Sequence, residues 1–218
     1  MNFLSYFFPQ TIEEINSPIN GKIKVIKYFN RFSIQVDNLS QSGGLVEQLW
    51  NSGLKKIHNS KFMIHNSLIL GVGGGTIIKL LNKHFPDAKI TGIEIDPLMI
   101  DIARKYFQLN NSKNLKIIIS DAIKWVYQNS QKSKSAKFDL IIVDLYIGQN
   151  IPTRLKDNYL LTSLNNLLSP NGVVIINHLR NKKNAIEVEN FVKTLNSIFP
   201  KVIIHKPLVN YLLFCYKK

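Results

Sequence analysis

The chain has 218 residues, 45% of them hydrophobic, and carries 28 lysines and arginines against 14 acids, for a net charge of +14. That length supports one ordinary domain with a small appendage, and apolar runs of about five residues are far short of the ~20 a membrane helix needs. The charge raises nucleic acid as a partner, yet only four of the bases are arginines and the lysines are scattered, which argues against it. The opening MNFLSYFFPQ lacks a basic n-region, so no secretory signal is expected. One cysteine, Cys215, excludes an internal disulfide and points to a reducing, cytoplasmic setting.

In chain order, the first 17 residues are weakly patterned. Lys22 to Ile26 and Phe32 to Val36 alternate around Asn30-Arg31 and predict a short β-hairpin. Helical spacing of Leu45, Val46, Leu49, Trp50, Leu54 and Ile57 predicts a helix over Gly44 to Ile57. Strands are then expected at Ser67 to Leu70, Lys89 to Ile95, Leu115 to Ile119, Phe138 to Val143, Val173 to Ile176, Val202 to Ile204 and Tyr211 to Tyr216. Helices are expected over Ile77 to His84, from Pro97 through Phe107 behind an Asp96 cap, Asp121 to Gln128, Arg154 to Leu168 and Ala185 to Phe199. Ser169-Pro170-Asn171-Gly172 stops the fourth of these.

Strands alternating with helices build a parallel sheet covered on both faces. The last two strands lack a helix between them, so one must run antiparallel. The expected architecture is α/β: a mostly parallel, seven-stranded, Rossmann-like sheet with an antiparallel C-terminal hairpin, preceded by the short N-terminal hairpin. It resembles the class I S-adenosylmethionine-dependent transferase fold. The expected division is an N-terminal hairpin and linker helix over residues 1–60 and a nucleoside-binding domain over 61–218.

Gly71-Val72-Gly73-Gly74-Gly75-Thr76 follows a strand and opens a helix. A dinucleotide fingerprint would need glycine at 76, so the pattern is GxGxG instead. Glu94 ends the second strand 23 residues later and could accept both hydroxyls of a ribose. In such sheets ligands sit at the carboxyl ends of the strands, near the crossover. Asp121 follows the third strand, where its carboxylate could take an adenine amino group beside the Ala122 N–H. Asp144 ends the fourth strand, where a carboxylate could orient or deprotonate an attacking amine.

At these residues the sequence resembles the polyamine aminopropyltransferases, spermidine synthase and its relatives. The matching segments are LILGVGGGT, TGIEIDPLMIDIARKYF, ISDAIKWV, FDLIIVDLY and VDNLSQSGG. The resemblance implies S-adenosylmethionine or its decarboxylated form as the cofactor and no metal. It implies nucleoside contacts from Gly71, Gly73, Gly74, Gly75, Glu94, Ile95, Asp121 and Ala122, and a catalytic Asp144. Gln41 matches a substrate-side glutamine, and Glu47, Tyr146 and His178 are further acceptor-side candidates. The five histidines show no metal-ligand spacing. The resemblance also implies a homodimer.

The sequence departs from that family where its polyamine chemistry resides. Thr76 stands where an aspartate follows the triple glycine, Ile147 where a second aspartate follows the catalytic one, and Val46 where a tyrosine is usual. Each charge-assisted hydrogen bond lost costs ~1.5–3 kcal/mol, so two losses weaken ammonium binding roughly a thousandfold. The expected function is therefore methyl transfer to a small acceptor, such as an amine. Aminopropyl transfer to a polyamine is the alternative, and a basic RNA-associated protein with a vestigial nucleoside pocket the second alternative.

Overall fold

The computed structural model describes residues 8–37, 39–60, 62–132, 136–146, 152–180, 185–207 and 210–217. The N-terminal part is a four-stranded antiparallel sheet in the order β1 (Gln10–Ser17), β2 (Gly21–Tyr28), β3 (Arg31–Val36), β4 (Leu39–Ser42). The expected hairpin is its β2–β3 centre, and two strands extend it. Neither showed in the hydropathy pattern. The partly buried side chains of β1 include Glu13 with Ile15, and Glu13 is matched by Tyr106 and Lys105 of α3. Strand β4 is four residues with serine at two of them. Ile23, Val25, Ile34 and Val36 are fully buried and pack on Met99 and Ile102. The small sheet is thereby fastened to α3 (Pro97–Tyr106).

The main sheet has seven strands in the order β10-β11-β9-β8-β5-β6-β7. They are β5 (Asn66–Leu70), β6 (Lys89–Glu94), β7 (Leu115–Ile119), β8 (Phe138–Val143), β9 (Leu168–Leu179), β10 (Lys201–His205) and β11 (Asn210–Tyr216). Strands β5 to β9 pair in parallel, and β11 is antiparallel to both β9 and β10. Helices α1 (Gly44–Asn59), α2 (Thr76–His84) and α3 pack on one face, and α4 (Ala122–Ser130), α5 (Asn158–Leu167) and α6 (Ala185–Asn196) on the other. Consecutive residues of β8 serve opposite cores: Ile142 meets the first layer, Ile141 and Val143 the second. A strand covered on both faces has no polar side to alternate with, hence the unbroken Leu-Ile-Ile-Val run.

Two boundaries lie four or more residues from where the sequence pattern puts them. The helix expected from Arg154 is a 3₁₀ turn, Thr153–Lys156, and α5 begins after Asp157, whose carboxylate accepts the Tyr159 N–H at 3.0 Å. An aspartate that accepts a first-turn N–H restarts the helix. Ser169 to Gly172 lies inside β9, because the β8–β9 register slips between Phe138 and Leu140 and the extra residues bulge out of the ladder. No helix among the described residues is long and apolar enough to cross a membrane.

Candidate active site

The chain leaves β5 for β6 on one side and returns to β8 on the other, so a crevice opens at the carboxyl ends of these strands. The turn after β5 is held by backbone bonds on both sides. Gly71 N–H donates to the Ile93 carbonyl, and Asp144 N–H to the Leu70 carbonyl, both at 2.9 Å. Gly71 has φ +89°, and a Cβ there would collide with the Asp144 carbonyl. Glycine is what lets β5 and β8 diverge this tightly.

A cavity of about 250 Å³ fills the crevice. Its wall includes Gly71, Val72, Gly73, Glu94, Ile95, Asp121, Ala122, Asp144 and Tyr146, with Gln41 reaching in from β4. These are most of the residues expected to hold a nucleoside and an acceptor. Glu94 is 7% exposed, and both its oxygens are in use. Oε2 accepts the Val72 and Gly73 N–H groups, and Oε1 those of Ile95 and Asp96, all at 2.9–3.0 Å. The carboxylate thus shapes the glycine turn that it faces. Asp121 caps α4 through the Lys124 N–H at 2.9 Å while lining the cavity. Asp96 caps α3 and is almost fully buried. It also accepts Ser17 Oγ–H and Asn20 Nδ2–H, at 2.5 and 2.7 Å. The β1–β2 turn is tied down this way, and Asn20 joins the cavity wall.

Asp144 stands at the opposite side of the cavity from Asp121. Its Oδ2 accepts the Trp50 indole N–H at 3.0 Å, and its Oδ1 the Asn177 amide at 2.8 Å. Burial pushes its carboxyl up from 3.8 to about 6; the two donors pull down, and the charge of Glu94 pushes up again. Burial and the Asp144 charge raise the Tyr146 phenol well above its ordinary value, so it stays protonated. Its hydroxyl donates to the main-chain carbonyl of Asn177 at 3.3 Å.

Several expected residues lie elsewhere. Gly74 and Gly75 face a second, outer hollow rather than this cavity. Gly75 caps α2 in a left-handed conformation, and Gly74 presses on Ser42. Glu47 lines the same outer hollow, 3.3 Å from Lys79 Nζ. His178 is buried beneath α6, beside Phe191, with Nδ1 2.8 Å from the Leu179 carbonyl, and burial lowers its pKa. Thr76 is 8% exposed and turned to Ser42, the two hydroxyls 2.5 Å apart. Ile147 lies outside the described residues.

Trp50, Asn177, Asn210 and Arg154 join the site without having been singled out in the sequence. Arg154 lines the cavity with its guanidinium over Tyr127, 5.7 Å from the ring centroid. Position offered a signal for Asn177: an amide ending a buried Val-Val-Ile-Ile run at the carboxyl end of a strand beside β8. Trp50 had only its place on the apolar stripe of α1, which reads as packing.

The fit of an S-adenosyl nucleoside can be tested on these features. A glycine turn with no side chain to fill it, one acid beside that turn and a second at the next strand end suit a ribose and an adenine. The sequence profile of the spermine/spermidine synthase domain matches residues 47–211. The chain is 27% identical over 165 residues to an eEF1A lysine and N-terminal methyltransferase homolog of Drosophila melanogaster, covering 72% of this chain and 24% of that protein. It is 34% identical over 116 residues to a polyamine aminopropyltransferase of Vibrio vulnificus, covering 53% and 38%. The chain therefore spans about a quarter to two-fifths of the length of these relatives. The crystal structure of spermidine synthase from Thermotoga maritima superposes with a TM-score of 0.74 at 16% identity, covering 96% of this chain and 73% of that one.

Proposed function

The chain belongs to the spermine/spermidine synthase domain family, and from that premise we propose that it is an S-adenosylmethionine-dependent methyltransferase acting on an amine. The observation that carries the reading is the single cavity walled by Gly71–Gly73, Glu94 and Asp121 on one side and Asp144 on the other. Gly71 and Gly73 would line the ribose side of the donor, in the turn that Glu94 holds in shape, and Asp121 with Ala122 would hold its base. S-adenosylmethionine bound there would supply a methyl group on a sulfonium: as a neutral amine forms the new N–C bond, the S–C bond breaks and neutral S-adenosylhomocysteine leaves. Asp144 accepts a hydrogen bond from the incoming ammonium and takes its proton, so the nitrogen lone pair is free. With a carboxyl near 6 it is ionised at neutral pH yet basic enough for the task. Tyr146 stays protonated, so its hydroxyl is available as a donor and does not act as a base.

Methyl transfer is favoured over aminopropyl transfer by the acids that are missing. The aminopropyl donor ends in a bare ammonium, and its acceptor is a polycation. Thr76 spends its hydroxyl on Ser42, and position 147 is isoleucine. Glu94, Asp121 and Asp144 are the carboxylates of the cavity wall among the described residues, and Glu94 already accepts four N–H groups. A net charge of +14 also repels polycations at long range. The relative from Drosophila, a methyltransferase by name, supports this reading, and the Vibrio relative supports the aminopropyl alternative.

The test is transfer of label from S-adenosylmethionine carrying a tritiated methyl group to lysine-bearing peptides and, separately, to putrescine or spermidine. Label on a peptide amine is the expected result. Aminopropylated polyamine, formed only with the decarboxylated donor, would overturn it.

A further inference from the structure

We infer that Trp50 and Asn177 are positioning residues for Asp144, with Asn210 holding the Asn177 amide. The inference deepens the proposed reaction and rests on it for the use made of the Asp144 proton; the arrangement itself is geometric.

An indole N–H is a donor only, and a buried one needs a partner. Trp50 is fully buried on α1, and the partner its N–H finds is Oδ2 of Asp144, across the layer at the end of β8. Asn177 is 5% exposed on β9, the neighbour of β8, and donates from Nδ2 to Oδ1. An asparagine amide could face either way. Here the ionised Asp144 can only accept, so it takes the Asn177 amino group and turns the side-chain oxygen of Asn177 to Asn210, at the first position of β11, whose Nδ2 donates to it at 2.8 Å. A flipped amide would set two oxygens against each other in a buried place. Each carboxylate oxygen of Asp144 thus has one donor fixed on it and keeps a further lone pair, and the residue lines the cavity. Elements α1, β9 and β11 therefore decide how the acid meets an acceptor amine.

The groups facing Asp144 are of opposing effect. Glu94 on β6 and burial favour the protonated form, while the Trp50 and Asn177 donors favour the ionised one. Tyr146, two residues on, is neutral, and Asp121 and Arg154 line the same cavity. The two donors keep Asp144 ionised near neutrality although its surroundings disfavour the charge.

The experiment is a carboxyl carbon-13 titration of protein labelled at aspartate, with Asp144→Asn to assign the resonance. The unaltered protein should show a midpoint near 6. Trp50→Phe and Asn177→Leu should each move it up by about one unit, the scale of a charge-assisted hydrogen bond, and Asn210→Leu should move it in the same direction by less. The acidic limb of kcat/KM should shift with it, the loss shrinking at high pH. A midpoint that stays at the wild-type value in the folded variants, with a pH-independent loss of rate, would make these residues structural only and overturn the inference. Two variants on separate elements guard against one that fails to fold. If the protein methylates no amine, the proposed reaction falls, whereas the titration still decides the positioning.

Discussion

Asp144→Asn is expected to abolish amine turnover and, at the same time, to make the protein more stable at neutral pH. The first half follows from the role of the proton acceptor, worth typically 10²–10⁴ in rate. The second follows from linkage. The Asp144 carboxyl lies at about 6 in the folded chain against an ordinary 3.8, chiefly because burial disfavours its charge. Between those values the folded state binds more protons than the unfolded state, so stability falls as pH rises through that window and is flat above it. A gap of about two units corresponds to roughly 3 kcal/mol at neutral pH. Asparagine removes that charge but can accept from only one of the Trp50 and Asn177 donors, and the lost bond costs about 1 kcal/mol. The net gain should be ~1–2 kcal/mol, a rise in Tm of several degrees for a chain of this size. Thermal unfolding at pH 8 and at pH 4 checks the sign: the advantage should be present at pH 8 and absent or reversed at pH 4. Equal stability of the two proteins at pH 8 would contradict a carboxylate held under strain of burial.

Glu94→Ala is expected to reduce nucleoside affinity by more than a hundredfold and to lower Tm. Four backbone N–H groups converge on this one carboxylate, two from the glycine turn and two from the start of α3. Bonds to a charged acceptor contribute about 1.5–3 kcal/mol each, and a nucleoside that must re-form a turn lacking two of them loses a hundredfold or more in affinity. The turn is where the ligand's ribose would lie, so its shape and the affinity are lost together. Glu94→Gln should fall between, since an amide nitrogen must then face one of the two donor pairs. Calorimetry with methylthioadenosine measures the binding, and circular dichroism on heating the stability. A Glu94→Ala protein that bound the nucleoside as tightly as the unaltered chain would remove Glu94 from the site.

The centre of the parallel sheet was legible because β5, β8 and the second half of β9 are buried on both faces and their apolar runs have no other use. Its antiparallel end was legible from a missing crossover helix alone. The three acids that the fold brings to one cavity, Glu94, Asp121 and Asp144, were legible as charges at strand ends. What escaped was whatever depends on a partner far along the chain. Strand β1 hides because Glu13 on it is satisfied by Tyr106 and Lys105, more than 90 residues away. Asn177 hides because its meaning is set by Asn210 and Asp144 together. His178, the next residue, has the richer chemistry, yet the alternation of β9 turns it the other way, under α6. Thr76 is legible as a missing acid but not as a clasp, since only the fold brings Ser42 to it.

The measurement that bears most directly on methyl transfer is calorimetric binding of S-adenosylmethionine against its decarboxylated form, with methylthioadenosine as the shared core. All three should bind in a Glu94-dependent way, and the carboxylated donor should bind more tightly than the decarboxylated one. The reverse order would mean that the cavity still reads a propylammonium without acids at positions 76 and 147, and would contradict a methyltransferase.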